Sequence, residues 1–230
     1  MTTTDLMTRA KGTSRRARVI TSCLAGVTVL GVLYFFAAVS AEEALRPMYD
    51  PVQRTISELA VGRYDFLQIS AFVALGLSLL ALPAGLWRRL RSTLVSRLGL
   101  CLIALGGVAS FVAAAFPTDL RNAAVATVSG QVHETTASAG YACLITAMLL
   151  LSLQFRGDLR WRPIHLPASG LTLAGIAALL SLAAVGNSDI TGLVQRLMVV
   201  PLLTWVMLTG VQAMRISAAA RREAAERATR

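Results

Sequence analysis

Six apolar blocks of about twenty residues, separated by short charged stretches, limit what this 230-residue chain can become. A bilayer hydrocarbon core about 30 Å thick takes about 20 apolar residues of helix to cross. The blocks lie at about 19–41, 66–87, 98–116, 134–155, 167–186 and 197–216. Their length predicts transmembrane helices and an all-α, polytopic, six-helix membrane bundle. The 55% hydrophobic content supports this, since soluble chains hold about 45–50% even on a broader count. Residues 1–18 and 217–230 read as basic tails, and the membrane domain between them leaves no room for a separate soluble domain.

The first block invites a second reading. Val39-Ser40-Ala41 before Glu42 resembles a small-residue cleavage site, and Ser14-Arg15-Arg16 resembles a twin-arginine signal. The block exceeds the 7–15 residues of a signal-peptide core, so a retained first span is expected.

Charge supplies the orientation. The N-tail, residues 88–97, residues 156–166 and the C-tail together with Arg215 at the end of the sixth block carry seventeen of the 22 Lys and Arg residues and a net charge of +13. The other three loops carry Arg46, Arg54, Arg63, Arg121 and Arg196 against eight carboxylates, a net of −3. Lys and Arg are retained in the cytoplasm, so both termini are expected there, in a multi-pass protein of the cell (inner) membrane. The same distribution argues against nucleic acid as a partner, because no basic stripe interleaved with aromatics is present. No Asp, Glu, Lys or Arg falls deep in an expected span, which weakens the case for an ion-coupled transporter. Cys23, Cys101 and Cys143 fall inside the blocks and form no CxxC pattern, so they read as small packing residues.

Chemistry concentrates in the three acidic-leaning loops. Asp50-Pro51 reads as a helix cap and first turn. A short amphipathic external helix near 51–60 would put Val52, Ile56 and Leu59 on one face and pair Arg54 with Glu58 at i,i+4. Asp119 lies at the exit of the third block, His133 at the entry to the fourth and Arg196 at the entry to the sixth. Arg54, Glu58, Asp119, His133 and Arg196 are therefore expected to converge as a ligand-binding cluster. His133, Asp119 and Ser57 are the catalytic candidates if the protein is an enzyme. His133 and His165 fall on opposite sides, which leaves no paired axial ligands for haem. The sequence specifies no cofactor and no metal set.

Tyr49-Asp50-Pro51, Ile56-Ser57-Glu58-Leu59, Phe116-Pro117-Thr118-Asp119, His133 and Gly192-Leu193-Val194-Gln195-Arg196-Leu197 resemble the landmarks of the DUF998 family. The resemblance spans roughly residues 20–216, and the Phe-Pro-Thr-Asp element followed by a histidine is its most specific part. It implies a bacterial or archaeal six-span membrane protein and names no activity.

Three functions fit these residues. One is binding of a lipid or other amphiphile at the outer end of the bundle, with Arg54 and Arg196 holding an anionic group. A membrane-embedded hydrolase is the second, with His133 as base for Ser57 or a water, or as a metal ligand with Asp119 and Glu58. The third is a structural or partner-binding subunit. Beyond the lipid bilayer, the sequence specifies neither a partner nor an oligomeric state.

Overall fold

The computed structural model describes residues 3–121 and 123–229. They form six long α-helices: α1 (Thr3–Leu45), α2 (Asp65–Leu86), α3 (Leu94–Ala115), α4 (Val128–Phe155), α5 (His165–Val185) and α6 (Thr191–Ala228). All six hold stretches long and apolar enough to cross a membrane. A lipid-exposed segment must satisfy its backbone internally, which leaves helix as the form such blocks can take.

Each helix packs on the next and α6 returns to α1, closing a ring that α2 and α6 also bridge. An even number of antiparallel helices brings the chain's two ends together, and Arg221 Nη1 donates to Ser22 Oγ at 3.4 Å. The interior is filled by side chains such as Phe35, Leu82, Ile103, Met148, Leu202 and Trp205. Leu30, Leu77, Leu153, Leu173 and Leu180 point outward. In lipid an exposed leucine costs nothing, so close packing holds the bundle together. α2 and α3 meet through Gly76 and Gly107, where a Cβ on Gly107 would stand 3.0 Å from the Gly76 carbonyl. Gly170 and Ala174, small residues at the spacing of a contact face, both face outward instead. Cys23 and Cys101 are also exposed on the bundle surface.

The arginine-rich end is closed. Phe155 lies between Trp161 and Trp205, with ring centroids 5.0 and 6.0 Å away and planes within 15° of parallel. All three rings are buried. Trp205 Nε1 donates to Ser152 Oγ at 2.9 Å, and Ser152 Oγ lies 3.2 Å from Thr172 Oγ1, which donates to the Ala168 carbonyl. This relay ties α6, α4 and α5 beneath the stack. Gln212 Nε2 donates to the Arg160 carbonyl, and Arg160 Nη2 to that of Arg89, which fastens the loops over it.

At the other end, the short helix expected near 51–60 is present as a five-residue 3-10 helix, Ile56–Ala60. Asp50 does start a turn: its Oδ1 accepts from Val52 N and its carbonyl from Arg54 N, both at 2.8 Å. The turn closes once and stops. Thr55 is extended, and Glu58 Oε1 accepts from Thr55 N at 3.1 Å. All five residues of the 3-10 helix are buried, whereas Val52 is exposed. The expected Arg54–Glu58 pair does not form, because the chain changes helical pitch between them.

Candidate functional site

The Phe116-Pro117-Thr118-Asp119 segment is stitched to the first turns of α4. Asp119 accepts from Thr127 N at 2.8 Å and Thr127 Oγ1 at 2.7 Å. Thr127 in turn caps α4 by accepting from Gly130 N at 3.0 Å. Ser129 Oγ donates to the Pro117 carbonyl and His133 Nδ1 lies 2.8 Å from the Phe116 carbonyl. The residues 127, 129 and 133 thus read back along residues 119, 117 and 116. Gly130 is part of this fit, since a Cβ there would run into the Asp119 carboxylate. Removing Asp119 strips a charged acceptor from two donors, each such bond contributing about 1.5–3 kcal/mol before exposure is discounted. Asp119→Ala is expected to destabilise by about 1–2 kcal/mol in a detergent melt. A melt unchanged from the parent protein would mean the strap does not hold α4.

Arg196 is a structural hub. Its Nε and Nη2 donate to Glu43 Oε1 at 3.1 and 2.5 Å. Nη1 donates to the carbonyls of Pro51, Arg54 and Gly192 at 2.7, 2.9 and 3.0 Å. Nη2 also reaches Tyr49 Oη at 2.9 Å. A guanidinium has five N–H groups, and all are engaged here. Burial pushes the Tyr49 hydroxyl up to about 12, so it stays protonated and donates to the Thr55 carbonyl at 2.6 Å. Arg54 joins the hub through its carbonyl. Arg196 therefore has no donor left over for an anion.

Glu58, Asp119 and His133 do come together, around a cleft of about 640 Å³. Its rim carries Glu58, Asp119, Arg121, Glu134 and Asn187. Its deeper wall is Ala137 and Tyr141 from α4 and Leu179, Leu182 and Ala183 from α5. The cause lies in how α5 packs. Its buried positions, Ala168, Thr172 and Gly175, all belong to its first half, and α4 has none between His133 and Leu144. The two helices are held near the aromatic stack and part toward the polar end. The loops over the cleft are joined by Arg121, whose Nη2 pairs with Asp189 at 2.9 Å and whose N donates to Glu58 Oε2 at 3.4 Å.

Ser57, His133, Ala137 and Tyr141 separate the cleft from an inner cavity of about 70 Å³. The inner cavity is apolar, lined by Phe35, Phe72, Leu75, Leu144 and Leu202 among others. His133 is 2% exposed, its ring centroid is 5.9 Å from that of Phe72, and its Nε2 has no hydrogen-bond partner among the described residues. No carboxylate orients the ring, since Asp119 is committed to Thr127. Among the described residues no group of three or more His, Cys, Asp or Glu side chains converges as a metal set.

Several residues at this end escaped sequence reasoning. Glu42, assigned to the first loop, lies in the last turn of α1, fully buried, with Arg46 Nη2 at 2.5 Å. Their i,i+4 spacing was the available clue. Gln195 accepts from Ile56 N at 2.7 Å and lines the cleft. Glu43 and Thr127 carried no clue, because their partners lie in other segments. No curated protein and no solved structure matches the chain. Residues 29–212 match the family described as "Protein of unknown function (DUF998)". That stretch runs from α1 into α6 and takes in every loop of the cleft, so the chain belongs to the DUF998 family.

Proposed function

We propose that this protein binds a membrane amphiphile in the cleft between α4 and α5. The observation that carries the reading is the cleft's polarity gradient: carboxylates, an arginine and an amide at the rim, alanine and leucine below. Its volume falls within the roughly 300–1,000 Å³ of small-molecule sites. The wall is built from transmembrane helices, so an acyl or isoprenoid chain would reach it from the bilayer. With the Arg196 donors all engaged and Glu58, Asp119 and Glu134 lining the rim, the favoured headgroup is neutral or cationic. By the Lys/Arg bias, the cleft opens toward the outer face of the cell membrane.

Native mass spectrometry of protein extracted in a mild detergent tests this. A lipid-sized adduct is expected on the parent protein and absent from Ala137→Trp, which fills the cleft. An adduct retained equally by both, or found on neither, overturns the reading. Orientation is read separately. Asn187→Cys, in a background lacking the three native cysteines, is expected to react with an impermeant maleimide on intact cells.

A further inference from the structure

We infer that the amphiphile in this cleft carries an O–H or N–H donor where its head meets its tail, received by Nε2 of His133. The inference rests on the cleft reading and adds the chemical class of the ligand. A carbonyl oxygen only accepts, so the 2.8 Å contact with Phe116 requires the proton of a neutral ring on Nδ1. Nε2 is then a bare lone pair. It is buried and unpartnered among the described residues, in a side chain that lines both the cleft and the inner cavity. A buried acceptor left unmade carries its full desolvation penalty, and a ligand that supplies the donor removes that penalty.

Position sets where on the ligand the donor belongs. His133 lies one turn above Ala137 and two above Tyr141, below the carboxylate rim and beside the apolar inner cavity. A headgroup at Glu58, Asp119 and Glu134 would place its first carbons at this depth. An alcohol or a secondary amide N–H fits. An ester, an ether or a ketone at the same point offers only acceptors and leaves two lone pairs facing each other.

Dodecanol and dodecyl methyl ether provide a matched pair of probes. Melting of the detergent-solubilised protein is followed against the concentration of each. Dodecanol is expected to raise the melting temperature of the parent protein and not that of Ala137→Trp. The ether is expected to need about tenfold or higher concentration for the same shift. His133→Phe, which keeps the ring contact with Phe72 and removes the lone pair, is expected to bring the ratio close to one. Equal potency of alcohol and ether on the parent protein overturns the inference and leaves the cleft reading standing. Neither probe distinguishing parent from Ala137→Trp overturns both. If His133→Phe does not fold, the comparison on the parent protein decides alone.

Discussion

Arg196→Ala is expected to be the most damaging single substitution at the polar end, costing about 3 kcal/mol. Breaking a buried ion pair by removing one partner costs about 3–5 kcal/mol, because the other charge stays behind. Arg196 and Glu43 retain 18% and 27% side-chain exposure, which places the loss at the lower end of that range. Three carbonyls and the Tyr49 hydroxyl lose a donor in the same step. For a chain of this size, that corresponds to a drop of about 6–12 °C in melting temperature. Arg196→Lys keeps the charge and loses the planar fork, so it is expected to fall between the two. A melt of Arg196→Ala within 2 °C or so of the parent protein would show that the hub does not stabilise the fold.

Gly192→Ala is expected to cost a similar amount, about 3 kcal/mol, the upper end of the overpacking range. A Cβ there would collide with the carbonyls of Arg54 and Pro51. These are backbone atoms, already held by Arg196, so they cannot rotate aside as a side chain would. The adjacent Leu193 N donates to the Val52 carbonyl at 2.9 Å, which locks the first turn of α6 against the 51–54 turn. Gly170→Ala is the matched control. Nothing lies within 4 Å of a Cβ on Gly170, and helix propensity alone predicts a gain of about 0.5–1 kcal/mol. Melting of both variants in one detergent reads the contrast. If both move the same way, the packing at Gly192 is looser than the geometry states.

The helices were legible because insertion in a bilayer demands long unbroken apolar runs, and nothing in the loops obscures runs of that length. The grouping of Glu58, Asp119 and His133 was legible for a related reason: once helices alternate, all residues at the ends of spans one, three and five share a side. What each side chain does there was not legible. Glu58 and Arg54 stand at helical spacing, yet the backbone becomes extended at Thr55 and sends them apart. Asp119 and Thr127 are eight residues apart across a loop with no regular period to predict their meeting. Arg196 finds Glu43 at a separation of 153 residues, and only the closure of the ring of helices brings them into range. The cleft itself comes from buried positions ending halfway along α5, whose second half is no less apolar than its first.

The stacked rings of Phe155, Trp161 and Trp205 leave a blind-ended vessel rather than a conduit. On the proposed reading, an amphiphile that enters between α4 and α5 would leave through the same opening.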